Sequence, residues 1–151
     1  MKALRHKQFV VAVLVSIASA CACAVESTVM SRDELSKATG AQIYEHICQG
    51  CHMADGKGAT GAGSYPALAG NPKLASAQFA AATVLHGRSD MPAFVMRPDL
   101  RGFEAWVYFG LEDTQIADVV NHVRTNFGNH YTDAISAEQV RALHIEKKES
   151  P

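Results

Sequence analysis

The stretch Cys48-Gln49-Gly50-Cys51-His52 decides how this chain is read. It is a C-x-x-C-H sequence, the attachment signal for c-type haem. Two thiols at i and i+3 near a helix end can add to the two vinyl groups on one side of a porphyrin, and the next residue then places an imidazole under the iron. A chance occurrence in a chain this short is roughly a one-in-a-thousand event on average residue usage. A redox-active C-x-x-C would need an alternating β-α-β pattern around it, which is absent. A zinc site would need two more ligands at paired spacing, and His86, His122, His130 and His144 show no such pairing.

Upstream of the motif, Ile43, Tyr44 and Ile47 share one face of a helix expected from about Thr39 to Gln49. Downstream lies a long loop without periodicity, carrying Gly50, Gly56, Gly58, Gly61, Gly63 and Gly70 with Pro66 and Pro72. A loop of that length needs something to pack on, and haem supplies the missing buried apolar mass. Ser76 to His86 reads as an Ala-rich helix with Phe79, Val84 and Leu85 as its bulky residues, stopped by Gly87. Phe103 to Phe109 is aromatic-rich and ambiguous between short helix and strand. The clearest amphipathic helix starts with Asp113 as its expected N-cap, carries Ile116, Val119, Val120, Val123 and Phe127, and ends at Gly128-Asn129. Ser31 is expected to cap a short turn, and Ser136 with Gln139 a last helix through about His144. The expected fold class is all-α.

The chain has 151 residues, 14 Lys+Arg and 15 Asp+Glu, for a formal net charge of −1. One domain fits that length. The charge balance argues against a nucleic-acid surface, so no nucleic-acid partner is expected. The N-terminus reads as a secretion signal: basic Lys2, Arg5 and Lys7, an apolar run from Phe9 to Ala18, then Ala22-Cys23-Ala24 before the preferred cleavage site. Residues 1–24 are therefore expected to be a signal peptide, 25–38 a leader, 39–130 the haem domain and 131–151 a C-terminal helical extension. Removal of the signal would leave 127 residues with 11 basic and 15 acidic side chains, net −4. The expected location is periplasmic, with membrane association only if the signal stays uncleaved or is lipidated at Cys21 or Cys23.

Three methionines could reach the sixth position of an iron. Met53 adjoins His52 and would share its side of the ring. Met91 sits in a loop straight after a helix, stiffened by Pro92, and is the preferred ligand; Met96 is the fallback. Together the CQGCH motif, the Gly-rich loop, the Met91-Pro92-Ala93-Phe94 loop and the amphipathic helix resemble a class I c-type cytochrome with His–Met iron, over roughly residues 40–129. The chain is close to single-haem cytochromes and to cytochrome subunits of periplasmic dehydrogenases, whose tails Phe127-Gly128-Asn129 and Ile135 to His144 also resemble.

The resemblance implies a small cytochrome c fold of helices and long loops around one covalently bound haem c. Cys48 and Cys51 would carry the haem, with His52 and Met91 as axial iron ligands. The Pro66 carbonyl would orient His52, Leu68 would pack on the haem, and Gly40 with Tyr44 would cross Val119, Val120 and Val123. The implied function is electron transfer and not catalysis: one iron cycling between Fe(III) and Fe(II), fed by a dehydrogenase and discharged to a terminal oxidase or another cytochrome of a respiratory chain. The competing reading is a haem enzyme or gas sensor with an open sixth position. The family usually passes quickly from the Met loop to the last helix. Here Pro98 to Gly110 intervenes, either as a lid over the haem edge or as a docking patch. Arg88 is placed either on a haem propionate or free at the surface. His122 stands where the family often has Tyr, and is expected to be a half-buried packing residue.

Overall fold

A computed structural model describes residues 30–61, 63–97 and 110–144. The expected signal peptide and the aromatic insert at Phe103 to Phe109 lie outside these residues. Among the described residues, no helix is long and apolar enough to cross a membrane.

Helices dominate, with one departure from the all-α expectation. The order is α1 (Arg32–Leu35), α2 (Gly40–Ile43), a π-helical turn (Tyr44–Cys48), α3 (Gln49–His52), β1 (Ala59–Thr60), β2 (Ser64–Tyr65), a 3₁₀ turn (Pro72–Ala75), α4 (Ala77–His86), α5 (Asp113–Thr125) and α6 (Ala137–Arg141). β1 and β2 form a two-residue antiparallel ladder, pairing Ala59 with Tyr65 and Thr60 with Ser64. Two rungs give no hydrophobic alternation to see in the sequence, so the Gly-rich stretch reads as pure loop.

Capping follows the side chains. Ser31, Thr39 and Ser136 each accept from the amide three residues on, and the Glu or Gln at that position reaches back, making three capping boxes. Asp113 is not the cap of α5. Glu112 holds the extended backbone that a cap requires, and its N–H donates to Gln115 Oε1 at 2.8 Å. Asp113 is instead free to pair with His144 at 2.7 Å and Arg141 at 3.5 Å, latching the C-terminal segment. α5 also ends earlier than Gly128-Asn129. Thr125 Oγ1 donates to the Asn121 carbonyl at 2.8 Å and Asn126 Nδ2 to that of His122 at 2.8 Å, so side chains take the last-turn carbonyls. α6 stops at Arg141, short of His144.

The core lies between α2, α4, α5 and α6, and includes Ile43, Tyr44, Ala81, Leu85, Ile116, Val119, Val120 and Val140. α2 crosses α5 at Gly40, where a Cβ would stand 2.1 Å from the Asp118 carbonyl oxygen and 3.0 Å from Val119 N. Only glycine allows the backbones so close. α4 buries a small-residue stripe of Ala77, Ala80, Ala81 and Leu85 rather than its largest side chain. Phe79, two residues from Ala77 and hence on the opposite face, is 40% exposed. Residues after 130 pack onto this core: Ile135 and Val140 are buried, and Asn121 brackets Ile135 with two 2.9 Å hydrogen bonds.

Candidate haem site

Cys48, Cys51 and His52 are carried by one helical run, 40–52, whose entry is fixed by the Gly40 crossing. Tyr44 begins the π-helical turn, and its carbonyl accepts the Gln49 amide five residues on. Such a wide turn inside a helix frequently marks a functional site. Cys48 is half-buried, Cys51 exposed and His52 buried. The two thiols are not joined as a disulfide. Burial, and after it the neighbouring Cys51, pushes the Cys48 thiol up to about 12. Redox-active cysteines are shifted the other way, so Cys48 lacks the lowered pKa of a thiol-exchange nucleophile.

His52 Nδ1 lies 2.9 Å from the Pro66 carbonyl oxygen. A carbonyl only accepts, so Nδ1 carries the proton and Nε2 keeps its lone pair for a metal. The carbonyl contact holds the ring in the way outer partners orient metal-bound imidazoles. Pro66 is itself held through its neighbours. The Leu68 amide donates to the Gly56 carbonyl at 2.7 Å, and Asn129 Nδ2 donates to the Leu68 carbonyl at 2.9 Å. Leu68 is half-buried against the core.

Met91 stands in a separate turn after α4. Its N–H donates to the Arg88 carbonyl and its carbonyl accepts the Arg88 amide, both at 3.0 Å, across a tight reversal. Gly87, at φ +73°, opens that reversal, where a Cβ would meet the Met91 carbonyl oxygen at 2.6 Å. The loop is tied to α4 by Phe94 N–H to the Val84 carbonyl at 2.9 Å. Met91 is half-buried, whereas Met96 is 45% exposed. Arg88 lies over the Phe79 ring at 5.3 Å. His122 is half-buried, 5.8 Å from the Tyr44 ring, and burial lowers its pKa.

The donor set fits haem. Two thiols one helical turn apart precede an imidazole with one free nitrogen, and half-buried Ile47, Leu68, Phe94 and Val95 stand at the margin of the core. Residues 37–127 match the Cytochrome c family. The chain belongs to the cytochrome c family. Its cofactor is haem c with its iron, bound covalently through Cys48 and Cys51.

This cytochrome is similar to the cytochrome c subunit of the quinone alcohol dehydrogenase of Gluconobacter oxydans, 32% identical over 111 residues, or 69% of this chain and 21% of the relative. It is also similar to the fructose dehydrogenase cytochrome subunit of Gluconobacter japonicus, 34% identical over 132 residues, 80% of this chain and 25% of the relative. A third relative is the gluconate 2-dehydrogenase cytochrome c subunit of Pantoea cypripedii, 32% identical over 111 residues, 70% and 24%. The chain thus spans a quarter or less of these relatives' length.

Among the described residues, three buried polar side chains escape a reading of the sequence: Gln115, which donates to the Leu35 carbonyl, Arg124 and Asn129. Arg124 is 1% exposed, and donates to the Leu74 carbonyl at 2.8 Å, the Ala75 carbonyl at 3.3 Å, the Asp133 carbonyl and the Asp133 carboxylate. Asn129 bridges the Leu68 and Val123 carbonyls. The available signal for Arg124 was its place four residues after Val120, on the apolar face of α5.

Proposed function

We propose that this chain is an electron carrier, with His52 and Met91 as the axial ligands of its haem iron. The observation that carries the reading is the Pro66–His52 contact on the helical run bearing both cysteines: it commits Nδ1 and leaves Nε2 for iron. When bound, haem c supplies one iron that gains and loses a single electron. Cys48 and Cys51 would hold the ring, Pro66 orients the His52 imidazole, and Leu68 would pack on the haem. Met91 adds a thioether, which favours the reduced state over harder ligands. Its turn is held at both the amide and the carbonyl, which fixes the backbone from which the sulfur would reach the iron.

The named relatives are dehydrogenase cytochrome subunits, which supports a dehydrogenase as electron donor. An oxidase or another cytochrome of a respiratory chain is then the acceptor. The basic-apolar-small pattern of residues 1–24 supports export to the periplasm. The test is spectroscopic. The oxidised protein should show an iron–methionine charge-transfer band that Met91→Ala abolishes while haem stays attached. A band unchanged in Met91→Ala moves the ligand to Met96 or elsewhere. No band in wild type, with ready CO binding by the reduced form, favours a haem enzyme or gas sensor.

A further inference from the structure

The residue after His52 is under backbone strain, and a buried phenol holds it there. Met53 has φ +63° and ψ 159°, a region that essentially only glycine occupies. Its N–H still closes the helical run on the Gln49 carbonyl at 2.9 Å. Its carbonyl receives two donors, the Tyr44 hydroxyl at 2.7 Å and the Gly56 amide at 3.1 Å. The next backbone link is of the same kind: the Gly58 amide donates to the His52 carbonyl at 3.0 Å.

Tyr44 is 3% exposed, and its ring lies 4.7 Å from Phe127. Packing alone accounts for an aromatic there but not for a hydroxyl, whose burial is costly without a partner. The π-helical turn explains the reach. Nine residues of regular α-helix would put Tyr44 and Met53 on opposite faces, about 180° apart. One inserted residue changes that angle by about 100°, and the insertion begins at Tyr44 itself.

We propose that Tyr44 is a positioning residue for the His52 imidazole: its hydroxyl pins the strained Met53 carbonyl, fixing the chain side of the ligand while Pro66 fixes the ring side. The proposal rests on reading His52 as an iron ligand. Without the hydroxyl, Met53 relaxes toward an unstrained backbone, and the peptide that joins it to His52 rotates with it.

The experiment uses the full-length haem-loaded protein as wild type, Tyr44→Phe, and Tyr44→Phe/Met53→Gly. Tyr44→Phe keeps the ring, the fold and the attached haem. The Gly56 amide should exchange about three- to tenfold faster, as for one weakened hydrogen bond. The hyperfine-shifted His52 ring resonances of the oxidised protein and the reduction midpoint should both move. Adding Met53→Gly removes the strain, so at least half of that displacement should vanish. Unmoved ring resonances and midpoint in Tyr44→Phe overturn the proposal, as does a displacement equal with Met or Gly at 53. His52 resonances without hyperfine shift in wild type overturn the ligand reading itself, and the proposal with it.

Discussion

Replacing Gly40 by alanine sets two effects against each other, and the structure decides the sign. Alanine is the better helix former, worth at most about 1 kcal/mol. Its Cβ, however, would stand 2.1 Å from the Asp118 carbonyl oxygen and 2.5 Å from its carbon. Both are backbone, so no side chain can swing aside. To restore ordinary contact, α2 must withdraw from α5 by more than 1 Å. Ile43, Tyr44, Val119, Val120 and Val123 are buried at this crossing. Each is worth about 2 kcal/mol on burial; a gap of about 1 Å forfeits about half of the contact energy where it opens, and partial relaxation of the neighbours brings the average loss to about a quarter. The loss is about 2–3 kcal/mol, and the net effect about 2 kcal/mol of destabilisation.

Gly50 is the control within the same helical run. Its Cβ would meet nothing within 4 Å, and helical spacing sets it on the far side from both Cys48 and His52. Gly50→Ala should therefore stabilise by about 0.5–1 kcal/mol. Urea denaturation of the haem-loaded protein, followed by helical circular dichroism, should lower the Gly40→Ala midpoint by about 1 M at unchanged slope. A Gly40→Ala protein as stable as wild type would refute the close-crossing argument, because propensity alone would then govern both glycines.

Three further outcomes are expected. Arg124→Met should cost about 2–4 kcal/mol by stranding the Leu74 carbonyl and weakening the loop at Asp133, and Arg124→Lys should recover little because an ammonium cannot span the same acceptors. The partner carboxylate of Asp133 is 71% exposed, so Asp133→Asn should cost less than about 1 kcal/mol by denaturant titration; equal losses for Asp133→Asn and Arg124→Met would point to the ion pair instead. Burial lowers the His122 pKa, so the unfolded chain binds that proton more readily, and stability should fall as pH drops through about 6.5. The stability of wild type relative to His122→Phe should accordingly fall from about pH 8 to about pH 5, and a constant difference would exclude His122 as its source. Finally, Cys48→Ala/Cys51→Ala should leave the haem extractable by acidified organic solvent, whereas wild type retains it.

The sequence by itself determined the local features. The C-x-x-C-H spacing, the capping residues at Ser31 and Ser136, the Ala-rich and amphipathic helices and the stop at Gly87 each depend on residues within four positions of one another, where spacing fixes geometry. Asp113 was expected to cap the amphipathic helix, and Glu112 does so instead, because the choice between neighbours depends on one residue's backbone angles. Tertiary structure alone decided what joins distant segments: Tyr44 to the Met53 carbonyl through a wide helical turn, Arg124 to Leu74 and Asp133, Asn129 to Leu68. In each case a side chain answers a backbone carbonyl, and every residue except proline offers the same carbonyl and amide pair. Sequence patterning therefore carries no mark of which carbonyl is left without a helical partner, and that is settled only when the core closes around it.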